Sequence, residues 1–77
     1  MTDHLTLRVP GKGYLPAKRV KDLQPGDVIV RPYLPLMEVK DIRLGDYNAF
    51  LRLEGVDRPV HVGIWKRLNT VVAIWAR

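Results

Sequence analysis

Along the chain, apolar residues fall in short alternating stretches separated by clusters of turn-forming residues. Leu5, Leu7 and Val9 alternate with Thr6 and Arg8, which predicts a half-buried strand. Val28-Ile29-Val30 is a β-branched run without a polar break and predicts a central strand. Met37 and Val39 alternate, then Ile42 and Leu44, with a slip of phase at Lys40-Asp41 that predicts a β-bulge. In the next stretch Tyr47, Ala49, Leu51 and Leu53 share one face, opposite Asn48, Phe50 and Arg52. Val60, Val62 and Ile64 form a further inward set, with His61 and Gly63 outward, and Thr70–Trp75 ends the pattern apolar on both faces.

The punctuation fits the same reading. Pro10-Gly11-Lys12-Gly13, Pro25-Gly26-Asp27, Pro32 with Pro35, Gly45-Asp46 and Glu54-Gly55-Val56-Asp57 each mark a turn. No long 3.6-residue period competes with them, so a helical bundle is not expected. Two places depart from strand character. Val20-Lys21-Asp22-Leu23 has room for one helical turn before Pro25. Ile64, Trp65 and Leu68 have helical spacing with Asn69 to end it. The expected fold is therefore all-β: a small SH3-like barrel of five to six short antiparallel strands, with one short helical turn near Trp65–Leu68. With no repeat and no linker, residues 1–77 are expected to form a single domain.

The segment Val20-Lys21-Asp22-Leu23-Gln24-Pro25-Gly26-Asp27-Val28-Ile29-Val30 carries a pattern V-x-x-L-x-P-G-D-x-I. In it Leu23 anchors the incoming chain, Pro25-Gly26 sets a type II turn, and Asp27 is placed to bond the freed amides. This element resembles the entry strand of Hint/intein-like domains, and small β-barrel proteins of actinobacteria and their phages. The resemblance covers about a dozen residues and implies a barrel. Self-splicing in Hint domains uses an N-terminal Cys or Ser and a C-terminal Asn. This chain has no Cys and no Ser and ends in Arg77, so the resemblance does not extend to that chemistry.

Composition narrows the function classes. The chain has 77 residues, is 47% hydrophobic and 27% charged, and carries a net charge of +5. Without cysteine there is no disulfide and no zinc–thiolate site; without serine there is no Ser-His-Asp triad. His4 and His61 are far apart and lack metal-ligand spacing. Asp22, Asp27, Asp46 and Asp57 sit in turns, where Asp bonds backbone amides. Thr2 would be a nucleophile only after processing to expose its amine. No catalytic residue, metal or cofactor is therefore expected, and the chain reads as a non-enzymatic module. No apolar run approaches the roughly 20 residues of a membrane span, and no signal-peptide pattern opens the chain. A cytoplasmic location without membrane association is expected.

The placement of charge says more than its sum. From His4 to Lys21, and again from Arg58 to Arg77, there is no acidic residue; the seven acids from Asp22 to Asp57 lie between. If the two end segments meet in space, they form one basic face, which suits nucleic acid because Lys and Arg displace condensed counterions from phosphates. Candidate contacts are Lys18, Arg19, Lys66 and Arg67, with Trp65 as an aromatic anchor; Tyr14, Phe50 and Trp75 are further stacking candidates. Lys12, at a predicted hairpin tip, is a lesser one. Two alternatives stand beside this. The first is a protein-interaction module, such as a phage-type factor that binds a host protein, anchored by the Pro-bracketed loop Tyr33–Met37. The second is a structural or assembly protein whose last strand pairs with another copy.

Overall fold

The computed structural model of the chain describes residues 5–75, so Thr2, Asp3, His4 and Arg77 lie outside the described residues. Seven strands form one antiparallel sheet: β1 (Leu5–Val9), β2 (Gly13–Arg19), β3 (Val28–Val30), β4 (Met37–Leu44), β5 (Asn48–Gly55), β6 (His61–Arg67) and β7 (Val71–Ile74). Their order across the sheet is β1-β2-β7-β3-β4-β5-β6. The all-β class is as expected, with more strands than the five to six that the pattern predicts.

The order dictates the shape. β6 and β7 are joined by three residues, 68–70, yet β6 ends the sheet and β7 is its third strand. A link from Arg67 to Val71 spans at most about 14 Å, whereas four strand spacings in a flat sheet amount to about 19 Å. The sheet must therefore curl. The bulge helps: Val39 pairs with Leu53 and Asp41 with Arg52, leaving Lys40 as the extra residue that sharpens the twist. The curl stops short of a closed barrel, because no ladder joins β6 to β7 or to β1 among the described residues. A 3-10 turn, Val20–Asp22, stops part of the gap, with the Val20 amide donating to the Thr70 carbonyl (2.9 Å) and Lys21 to Leu68 (3.0 Å).

Helical structure thus occurs at Val20–Asp22 and not at Trp65–Leu68. There, β6 runs on through Arg67, because its backbone completes a ladder to Asn48, Ala49 and Phe50 of β5. The spacing of Ile64, Trp65 and Leu68 fits a helical face, but in the strand Ile64 turns inward and Trp65 outward. Tertiary pairing overrides the local period.

The curl encloses one main core: Val20, Leu23, Ile29, Met37, Val39, Ala49, Leu51, Leu53 and Ile74, with Ile42, Val62, Ile64, Leu68 and Val72 packed at its margin. Inward Met37 and Val39 give way to inward Ile42 across the bulge, as the slip of phase requires. On the sheet's other side the β1–β2 hairpin forms a smaller cluster, with Val9, Val30 and Ala73 buried and Leu15 and Leu36 against them. The turn before β3 forms as its sequence dictates. Asp27 donates its amide to the Gln24 carbonyl at 3.1 Å, Gly26 takes φ +100°, and the Asp27 carboxylate accepts the Gln24 amide at 2.9 Å. β7 is bonded on both sides, to β2 and β3, so the strand edges left for another chain are those of β1 and β6.

Candidate functional site

The curl gives β4, β5 and β6 a convex outer face, and strand alternation decides what stands on it. Cross-strand pairing arranges these side chains in rows. Arg43, Phe50 and Trp65 form one; Asp41, Arg52 and Gly63 the next; Glu38, Glu54 and His61 the third; Asn48 and Arg67 flank the aromatic row on its other side. Phe50 and Trp65 meet with ring centroids 5.1 Å apart and planes tilted by 56°, a favourable aromatic geometry. Trp65 is nonetheless 68% exposed, so one indole face stays open to solvent. Gly63 makes room for the pair: a Cβ there would lie 2.5 Å from Phe50 Cζ.

Charge is graded across this face. At one end Lys40 bridges Glu38 (3.0 Å) and Glu54 (3.5 Å). The Glu38 carboxylate, by hydrogen bond and then by charge, holds the Lys40 ammonium above its ordinary value. At the other end stand Arg43 and Arg67, with Arg52 in the row between. Arg43 has only a long contact to Asp41, 3.7 Å, and such exposed pairs hold little energy. A hollow of about 340 Å³ over Gly63 is lined by Phe50, Arg52, Lys40, Glu54 and His61. Beside it, Tyr47, Asn48, Arg67, Leu68 and Asn69 line a second, open depression; Tyr47 is 82% exposed.

Of the residues singled out from sequence, Trp65 and Arg67 stand together on this face. Lys66, next to them in sequence, points to the other side of β6 and lines a separate cleft. Lys18 is engaged elsewhere, donating to both Asp27 carboxylate oxygens at 3.0 and 3.2 Å. Arg19 ends β2 opposite Val71. The two acid-free segments do meet, since β2 pairs with β7 and the 3-10 turn bonds the 68–70 link. Lys18, Lys66 and Arg67 are directed to different places, however, so these three do not form one common basic face. Tyr14 is exposed on β2, and Trp75 is half-exposed with the Lys12 ammonium 5.8 Å from its ring.

Sequence reasoning missed Arg43 and Arg52 on the face of Trp65, and it set Tyr47 inward with Ala49, whereas Tyr47 precedes β5 and is exposed. The signal was present: alternation sets Phe50 and Arg52 on the solvent side of their strand. It went unused because a helical turn at Trp65 removes the pairing that puts Trp65 beside Phe50. Among the described residues no group of acidic and histidine side chains could hold a metal ion, and no helix is long and apolar enough to cross a membrane. Comparison of the chain with family models, curated proteins and solved structures finds no match.

Proposed function

We propose that the protein is a non-enzymatic, cytoplasmic module that binds single-stranded nucleic acid on the outer face of β4–β6. The observation that carries this reading is Trp65, a large aromatic backed by Phe50, open to solvent, and flanked by Arg43, Arg52 and Arg67. A base stacks on the indole whatever its identity, worth about 1–3 kcal/mol per base, while the arginines meet phosphates and release counterions. The five strands β7-β3-β4-β5-β6 keep chain order, except that the last returns beside the first. That connectivity supports an SH3-like barrel, open at one seam, as the scaffold.

Titration of Trp65 fluorescence with a short oligopyrimidine at low salt, read in a Trp75→Phe background, tests the reading. Binding should quench the indole, Trp65→Ala should weaken affinity about tenfold or more, and Arg67→Glu should weaken it with a shallower salt slope. Lys18→Ala, on another side of the sheet, should leave affinity unchanged. Absence of binding at low salt overturns the proposal. A protein partner is the second reading, favoured by the loop after β3. There Tyr33 is 88% exposed and takes φ +59°, a strained choice for a tyrosine, with Leu34 exposed beside it.

A further inference from the structure

A second site lies on the other side of β6, where the sheet parts. The β3–β7 ladder ends at Val30↔Ala73, because the chain turns away through Arg31 and Pro32, and a proline has no amide to continue the bonding. Between this departing segment and Thr70–Val72 a cleft of about 170 Å³ opens towards the core. Its walls are apolar: Leu7, Ile29, Leu51, Leu53, Ile64 and Val72. An apolar cavity of about 150 Å³ accepts a benzene molecule, so this one takes a single ring or a short hydrocarbon chain.

Two cations, Arg31 and Lys66, also line the cleft, and no carboxylate does. Arg31 takes part in none of the ion pairs among the described residues. Its Nε is buried without a hydrogen-bond partner. With Nε shielded and no carboxylate on the rest of the group, this half-buried guanidinium lacks a counter-charge, and the group that matches it best is a carboxylate on its terminal nitrogens, through short charge-assisted bonds. Apolar walls of this size, closed at one point by an unmatched arginine and a lysine, describe a particular ligand chemistry.

We propose that this cleft binds a small apolar monocarboxylate, with its carboxylate on the terminal nitrogens of the Arg31 guanidinium, Lys66 adding charge, and its hydrocarbon part between Leu51, Leu53 and Ile64. The site is independent of the nucleic-acid reading, since Trp65 and Arg67 face the opposite side of the same strand. Hexanoate is the probe, followed by nitrogen- and methyl-detected NMR on the full chain, with hexanol as the uncharged match. Hexanoate should shift the Ile64 methyl and Lys66 amide signals saturably and move the Arg31 guanidinium N–H resonances downfield, as a carboxylate bond does. Hexanol should bind about tenfold more weakly or worse, and Arg31→Met should remove that preference. Lys66→Met, a milder change, should reduce hexanoate affinity while leaving hexanol unaltered. Equal affinity for the two probes, no saturable shift, or shifts confined to the Trp65 face would each overturn the proposal. The Arg31 guanidinium signals read the contact in the unaltered chain, so the test stands even if Arg31→Met fails to fold.

Discussion

β6 and β7 follow one another in sequence with three residues between them, yet they occupy opposite kinds of place. β6 is an edge strand, exposed and half-buried by turns along its whole length. β7 lies inside the sheet between β2 and β3, with Ala73 and Ile74 buried. Both contain large apolar residues. The difference is that β7 has a cluster on each face: Val72 and Ile74 meet the main core while Ala73 meets the smaller one under the β1–β2 hairpin. β6 has a core on one side only, so Trp65 and Arg67 remain available for recognition. Position in the sheet, more than residue type, separates the strand that stabilises from the strand that carries the proposed binding face.

The sharpest way to break this comparison is to truncate one large apolar side chain in each strand. Ile74→Ala should cost about 2–4 kcal/mol, since it removes buried volume that the surrounding strands cannot fully reclaim. Against a total of roughly 4–12 kcal/mol for a domain of this size, that is a large share. Trp65→Ala should cost about 1 kcal/mol, because it forfeits the contact with Phe50 and little burial. Denaturant unfolding of the two variants reads the difference directly. Equal losses would mean that Trp65 is a packing residue and that the division between the strands is false.

A second test acts on the outer face alone. Gly63→Ala places a methyl group 2.5 Å from Phe50 Cζ, so the ring must swing away from Gly63, which alters its contact with Trp65. The backbone of β6 is unaffected, and the expected cost is about 1 kcal/mol. The larger consequence is for the aromatic pair, visible as a shifted Trp65 emission and weaker oligonucleotide binding. An unchanged emission spectrum would show that Phe50 does not set the pose of Trp65.

The same two strands mark where the sequence is legible. Core faces follow from alternation wherever one side of a strand is dry, which is why Ala49, Leu51 and Leu53 are found inside as expected. Local devices are equally plain: the bulge at Lys40 and the Pro25-Gly26 turn each depend on residues within a few positions. What local pattern cannot reveal is partnership at a distance. Trp65 has helical spacing to its neighbours and is a strand residue only because β5 offers it a ladder. Lys18 looks like a free cation until the fold brings Asp27, nine positions away, beside it. Lys66 and Arg67 are adjacent in sequence and so point to opposite faces once β6 forms.

The weakest effect concerns Lys40, at the acidic end of the outer face. Glu38 and Glu54 are directly paired across β4 and β5, an arrangement that repels unless a cation stands between them. The bulge places Lys40 there. Its pKa is raised above the ordinary 10.5, chiefly by the hydrogen bond to Glu38 and then by that carboxylate's charge. A lysine whose folded-state value is raised contributes stability that is whole below the unfolded value and is lost as pH climbs through the folded one. The wild-type chain should therefore melt slightly above Lys40→Met from neutrality up to pH 10.5, and the gap should close at more alkaline pH. Because the pair is solvent-exposed, molar salt should shrink the gap as well. Adding Glu54→Gln to Lys40→Met should recover part of the loss, since it removes one of the two carboxylates that Lys40 separates. A gap that persists above the folded value, or a double variant less stable than Lys40→Met, would mean that the lysine stem packs on the face and its charge is incidental.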